Sequence, residues 1–202
     1  ALRHAENGVD IVVAQGHEAG GHTGEIGSMV LWPEIVDALD GKTPVLAAGG
    51  IGSGRQVAAA LALGAQGVWM GSAFLTSAEY DLGVRLESGR SVVQEAMLNA
   101  TSADTVRRRI YTGKPARLLK SRWTDAWDAD GAPEPLPMPL QNILVSEAHQ
   151  RMSESTDPTT VAMPVGQIVG RMNEIRPVAE IIAELVSGFE QASKRLDGIR
   201  DN

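Results

Sequence analysis

Asp10-Ile11-Val12-Val13-Ala14-Gln15 runs straight into Gly16-His17-Glu18-Ala19-Gly20-Gly21-His22-Thr23-Gly24-Glu25-Ile26-Gly27, and the reading of this stretch decides the fold. Its first part is a short apolar run, the signature of a strand buried on both faces. It then breaks into a loop with five glycines, two histidines and two glutamates. A residue without a Cβ lets backbone pass close to a ligand. Imidazole is the side chain that most easily exchanges a proton near neutral pH. α/β proteins commonly build sites by delivering such a group into a backbone-lined pocket at the C-terminal end of a buried strand.

Working outward, two more apolar runs follow, Val45–Ala48 and Val68–Met70, each succeeded by glycine as Ile11–Ala14 is. Helical patterns lie between them. The alternation predicts an α/β fold with a parallel sheet and right-handed crossovers, in a barrel or an open sheet. The first crossover helix is expected over Pro33 to Leu39, with Pro33 in its first turn and Gly41 just past its end. For the second, Ser53 and Gln56 have capping-box spacing, Val57 to Leu63 is strongly helix-forming, and Gly64 is the stop. Upstream, Leu2 to Gly8 reads as the tail of a helix feeding the first strand, so the sequence is expected to start inside a domain.

Beyond Ala73 the character changes. Ser91–Ala100 and Gln141–Met152 read as helices, Ala103–Ile110 is undetermined, and Thr112-Gly113-Lys114-Pro115 is a turn. Asp128 to Pro139 carries four of the ten prolines and is irregular. From Pro177 a long amphipathic helix sets Val178, Ile181, Ile182, Leu185, Val186 and Phe189 on one stripe. Three regions are therefore expected. Residues 1–80 hold the βα units, 81–164 are mainly helical, and 165–202 end in the long helix.

With 18 Lys and Arg against 25 Asp and Glu, the net charge is −7. Electrostatics gives no reason to expect nucleic acid or an anionic membrane as partner. Arg107-Arg108-Arg109 is a local basic run expected to be a solvated face. The chain has no cysteine, which excludes disulfides, thiolate metal sites and a cysteine nucleophile, and makes a reducing cytoplasm the default location. No apolar run reaches the length of a membrane span.

His17 and His22 flank Glu18 in a pattern close to the helical His-Glu-x-x-His zinc motif, but the spacing is five rather than four and Gly20-Gly21 interrupts it. No third ligand is apparent, and no metal is expected. His17 is read as a loop residue hydrogen-bonding backbone. His22, flanked on both sides by flexible backbone, is the preferred acid, base or hydrogen-bond donor. The loops Ala48-Gly49-Gly50-Ile51-Gly52-Ser53-Gly54 and Met70-Gly71-Ser72-Ala73 follow the other two strands. The first opens a helix whose free N–H groups and dipole favour an anion. It is no dinucleotide fingerprint, since position 55 is Arg, and it lacks the lysine of a P-loop. Each loop alone could simply permit a tight turn. As a consecutive pair they are read as a phosphate site of the kind found after the last strands of a (β/α)8 barrel.

Ala19-Gly20-Gly21-His22-Thr23-Gly24 resembles the histidine loop of the nitronate monooxygenase (2-nitropropane dioxygenase) family. Pro44-Val45-Leu46-Ala47-Ala48-Gly49-Gly50-Ile51 and Gly67-Val68-Trp69-Met70-Gly71-Ser72-Ala73-Phe74 resemble its FMN-phosphate loops. Thr112-Gly113-Lys114-Pro115-Ala116-Arg117 and Val165-Gly166-Gln167-Ile168 resemble two later segments. Flavin-dependent enoyl-acyl-carrier-protein reductases share the Gly-Gly-His, Ala-Gly-Gly-Ile and Met-Gly elements. The resemblance implies the C-terminal part of an FMN-containing (β/α)8 TIM barrel, strands six to eight, plus a small mostly helical region. Strands one to five then fall outside this sequence, and the chain as given is expected to be inactive by itself. Within the parent enzyme, His22 would be catalytic, with Gly20, Gly21, Gly49, Gly50, Gly71, Ser72 and Gln167 binding FMN. The implied reaction is oxidation of a nitronate with oxygen to a carbonyl compound and nitrite. The alternative is NAD(P)H-dependent reduction of an enoyl or acyl thioester. Assembly into a homo-oligomer is left open.

Overall fold

The computed structural model describes residues 1–200; residues 201 and 202 of the expected C-terminal segment lie outside them. Helix α1 (Leu2–Glu6) ends before Gly8, which takes a positive φ, and β1 (Val12–Gln15) follows. After the glycine loop come β2 (Gly21–His22), α2 (Ser28–Leu39), β3 (Val45–Ala48), α3 (Gly54–Ala62) and β4 (Gly67–Trp69). Strands β1, β3 and β4 form a parallel sheet in that order, with Val12 opposite Val45 and Ala48 opposite Trp69. The two βα crossovers expected from the alternating pattern are thus present.

Helix α2 begins at Ser28, not at Pro33, which lies inside it. Lacking an N–H, Pro33 cannot donate to the Met29 carbonyl one turn back. The true start is set instead by a residue from the preceding loop. The Glu18 carboxylate accepts from the Ser28 amide at 3.0 and 3.2 Å and from Ser28 Oγ at 2.9 Å. A carboxylate placed there also complements the positive end of the helix dipole. Trp32, on the inner face of α2, donates its Nε1–H towards the carbonyls of Ala14 (3.1 Å) and Ala48 (3.3 Å), pinning the helix to the ends of β1 and β3.

Val12, Ala14, Trp32, Leu39, Val45, Ala47, Ile51, Ala60 and Ala65 make the core between this sheet and its helices. The opposite face of the sheet differs from expectation. Val13 is 39% and Trp69 59% exposed, so β1 is covered on one side among the described residues. Both crossover helices lie against the Val12 and Ala14 face, and the alternate side chains point away from them.

The later part of the chain contains α4 (Val92–Leu98), β5 (Thr105–Arg108), β6 (Ala116–Leu119), α5 (Arg122–Asp128), α6 (Leu140–Ser153) and α7 (Val178–Arg200). The capping box of α4 is complete: Ser91 Oγ accepts from the Gln94 amide and Gln94 Oε1 from the Ser91 amide, both at 3.1 Å. Strands β5 and β6 lie in the stretch read as mainly helical. They pair antiparallel with each other, and β6 pairs with β2 on its other side. Because every residue of β6 is buried, the strand shows no apolar–polar alternation by which to recognise it. A second core gathers Val92, Met97, Leu119, Val165 and Val169. Helix α7 returns to α3 so closely that a Cβ on Gly54 would stand 2.2 Å from the Phe189 amide nitrogen.

In the Arg107–Arg109 run, Arg108 and Arg109 are exposed, as expected of a solvated face, and Arg107 is half-buried, but each side chain has a partner. Arg107 donates to the Thr23 carbonyl (2.9 Å) and to Thr23 Oγ1 (3.1 Å). Arg108 makes a two-pronged pair with Asp128 at 2.7 and 2.8 Å, and Arg109 donates to the Gly113 carbonyl. Backbone carbonyls and a carboxylate brought in by folding claim all three guanidinium groups.

Candidate functional site

At the carboxyl ends of β1, β3 and β4 the connecting loops enclose a cavity of about 230 Å³. Gly20, Gly49, Gly50, Gly71 and Ser72 all line it, as do Gln15 and Gly166. Two other residues proposed from sequence are not on this wall. Gly21 is drawn into β2, opposite Arg117 of β6. Gln167 lies between the lining residues Gly166 and Ile168, and its amide donates to the Glu18 carbonyl at 2.9 Å.

Five of the residues lining the wall are glycines. Gly49 and Gly50 have φ of +97° and +71°, a conformation that L side chains rarely adopt. It turns the chain sharply at the end of β3. Among the described residues, the amides of Gly50, Ile51 and Gly71 donate to no partner. The cavity therefore offers unpaired N–H groups from two adjacent strand ends. Ile51 is buried, Gly50 half-buried and Gly71 exposed, and N–H groups converging in this way on one opening suit an anion. The expected Ser53–Gln56 capping box does not form. Gln56 Oε1 instead accepts from the Gly52 amide and from Ser53 Oγ, both at 2.9 Å, and Ser53 caps no amide of α3. Ser72 Oγ accepts from the Gly166 amide at 2.9 Å, tying the third strand-end loop to the 165–168 segment.

The histidine loop is held at several points. Gln15 Nε2 donates to the carbonyls of Gly20 (3.2 Å) and His22 (3.0 Å), bracing the loop against the strand it leaves. Gly20 packs directly on the Val165 and Gly166 backbone. His17 Nδ1 lies 3.2 Å from the Gly24 carbonyl, the backbone-bonding role expected of it. His22 is exposed, and its Nε2 stands 2.6 Å from Thr112 Oγ1, in the turn before β6. Pairing of β2 with β6 brings these two residues together across the chain. The geometry leaves the exposed His22 ring positioned at Nε2 by a hydroxyl, so Nδ1 is the nitrogen free for proton transfer or hydrogen bonding to an incoming molecule.

Sequence reasoning missed three supports of this loop: Glu18, Gln15 and the buried Arg117. Arg117 is only 4% exposed. It donates to the His17 carbonyl (3.1 Å) and to Thr105 Oγ1 (3.0 Å). Burial pushes its guanidinium below the ordinary value, the neighbouring Arg107 charge acts the same way, and Glu18 opposes both. An arginine inside the otherwise apolar Ala116–Leu119 run was the available signal: a buried charge needs partners, and partners imply an ordered site.

A family model described as nitronate monooxygenase matches residues 1–188. The chain belongs to the nitronate monooxygenase family. It is 49% identical over 205 aligned residues to a Mycobacterium tuberculosis protein, Rv1533, named as a candidate monooxygenase; the match covers 98% of this chain and 52% of that one. Among solved structures it is similar to FabK from Thermotoga maritima, with 33% identity and a TM-score of 0.79 over 98% of this chain and 60% of that chain. It is equally similar to the nitroalkane oxidase from Streptomyces ansochromogenes, with 32% identity and a TM-score of 0.79 over 96% of this chain and 56% of that chain. The chain spans about half the length of the curated relatives it matches. Within this nitronate monooxygenase family chain, the cavity wall and the His22–Thr112 pair both fall inside the matched residues.

Proposed function

We propose that this chain supplies the histidine loop and the flavin-phosphate cradle of an FMN-dependent nitronate monooxygenase whose complete fold is a (β/α)8 barrel. Residues 1–80 would contribute three of its βα units, 81–164 a smaller domain, and the segment from 165 a return to the barrel. One observation carries the reading: a single cavity at the carboxyl ends of three parallel strands, walled by Gly20, Gly49, Gly50, Gly71 and Ser72. Its unpaired amides fit the phosphate end of a flavin nucleotide, as helix ends and strand-end loops commonly do.

Bound there, FMN would supply the electron-transfer chemistry by which a nitronate and oxygen give a carbonyl compound and nitrite. The protein's part is positioning. The amides of Gly50, Ile51 and Gly71 and the hydroxyl of Ser72 hold the phosphate. Gln15 fixes the loop that carries Gly20, and Thr112 fixes the ring of His22. With Nε2 engaged by the Thr112 hydroxyl, which fixes the ring, His22 would donate a hydrogen bond or a proton to the bound nitronate from its other nitrogen, Nδ1. The matching likeness to FabK favours one alternative on the same site, NAD(P)H-dependent reduction of an enoyl thioester with His22 polarising the carbonyl.

The test is to give the flavin-loaded enzyme propionate 3-nitronate with oxygen and, separately, NADPH with an enoyl-CoA. Nitrite release without NADPH is expected. Thioester-dependent NADPH oxidation without nitrite release would replace this reading by the reductase.

A further inference from the structure

A second cavity, of about 310 Å³, lies between α4, α6 and the 161–164 segment. Its wall is aliphatic and aromatic, with Tyr80, Val93, Tyr111, His149, Met152 and Met163 prominent, and no Asp, Glu, Lys or Arg lines it. Tyr111 stacks on His149 with centroids 4.4 Å apart, and Trp123 meets the same imidazole edge-on at 5.8 Å. His149 Nε2 and Tyr80 Oη are buried without a hydrogen-bond partner among the described residues. Burial holds the His149 pKa below its ordinary value and pushes that of Tyr80 above it, so both groups are neutral near pH 7.

Two features connect this cavity to the first. Pro164 lines both. Tyr111 directly precedes Thr112, whose hydroxyl meets His22 Nε2. A molecule reacting at His22 therefore has an uncharged apolar recess beside it. The volume is about twice the ~150 Å³ of an apolar cavity known to accept benzene. It lies within the range of small-molecule pockets, and the few neutral polar atoms in its wall match an uncharged guest.

We propose that this cavity holds the apolar tail of the substrate, a chain of roughly ten carbons, while the reacting head lies at His22. The inference rests on the reading above that His22 meets the substrate, and it makes the preferred substrate long-chained rather than a short charged nitronate. A charged or strongly hydrated tail would lose its solvation in this recess with nothing to replace it. An alkyl chain would give up only water contact, which favours binding by up to about a factor of four per methylene.

The test has two parts. First, the protein labelled with ¹³C-methyl methionine is titrated with decan-1-ol. Saturable shifts of the Met152 and Met163 methyl resonances are expected, with the exposed Met29 unmoved. Ala162→Phe, which narrows the same cavity, should weaken that binding at least tenfold, its fold being checked by its melting curve. Second, KM is measured for the flavin-loaded enzyme on primary nitronates from two to ten carbons. It should fall steadily with chain length in the parent and become nearly flat in Ala162→Phe. Decan-1-ol that leaves Met152 and Met163 unshifted overturns the proposal, as does a KM independent of chain length, and neither measurement on the parent depends on the variant folding. If no nitronate of any length is oxidised, the proposed reaction falls. The methionine titration alone then judges the cavity, keeping it as an apolar-ligand site if the shifts appear and removing it if they do not.

Discussion

Gly20→Ala tests how the histidine loop is seated. A Cβ at this position would stand 2.7 Å from both the backbone carbon and the Cα of Val165, and 2.8 Å from the Gly166 nitrogen. These are main-chain atoms, so no flexible side chain can swing aside. The 165–167 segment has to withdraw. With it go the bond from the Gln167 amide to the Glu18 carbonyl and that from the Gly166 amide to Ser72 Oγ, both 2.9 Å. Two hydrogen bonds at roughly 0.5–1.5 kcal/mol each, added to overpacking at about 1–3 kcal/mol, put the loss at about 2–6 kcal/mol. For a chain of this size that lowers Tm by roughly 4–24 °C. The same loop provides the control. A Cβ on Gly24 would meet nothing within 4 Å, so Gly24→Ala should stay within about 0.5 kcal/mol of the parent. Thermal and urea melts followed by circular dichroism measure both. A Gly20→Ala protein that melts within a degree of the parent would refute the close-packing account, and with it the claim that the 165–168 segment buttresses the site.

Two further outcomes follow from the site and its surroundings. In the flavin-loaded enzyme, His22→Ala should lower kcat by about 10²–10⁴ while flavin content holds, and His17→Ala should do much less; steady-state rates beside the visible spectrum of each variant check this. His149 carries a pH signature. Its folded pKa is held below the ordinary 6.5 by burial, so the unfolded chain takes up the proton first. Its contribution to stability is therefore full above about pH 6.5 and shrinks as pH falls from there towards the folded value. Urea melts at about pH 7.5 and 5.5 should show a smaller acid loss in His149→Phe than in the parent, and equal losses would remove histidine burial as the cause.

What the sequence determined is what neighbouring residues decide among themselves. Short apolar runs ending in glycine, separated by helix-forming stretches, carry the parallel βα order, because strand and helix periods are local properties. The helix expected over Ser91–Ala100 and the backbone-bonded His17 are legible for the same reason: their partners lie within a few residues. The candidate site was legible as a set of loops, since residues at successive strand ends of a parallel sheet necessarily converge at one edge. The tertiary structure alone decided the rest. Glu18 starts α2 ahead of Pro33, since a carboxylate delivered by the preceding loop outweighs the local preference for proline in a first turn. Pairing of β2 with β6 carries His22 to Thr112 and Gly21 away from the cavity wall. Arg117, given no role from the sequence beyond its place in the Thr112–Arg117 family-like segment, is buried to hold the loop through the His17 carbonyl. Gln56 bonds the Gly52 amide rather than completing its box. In each case the deciding partner is either far along the chain or one of several nearby donors of similar strength. Local pattern does not rank such partners, and only the packed backbone brings one of them within about 3 Å.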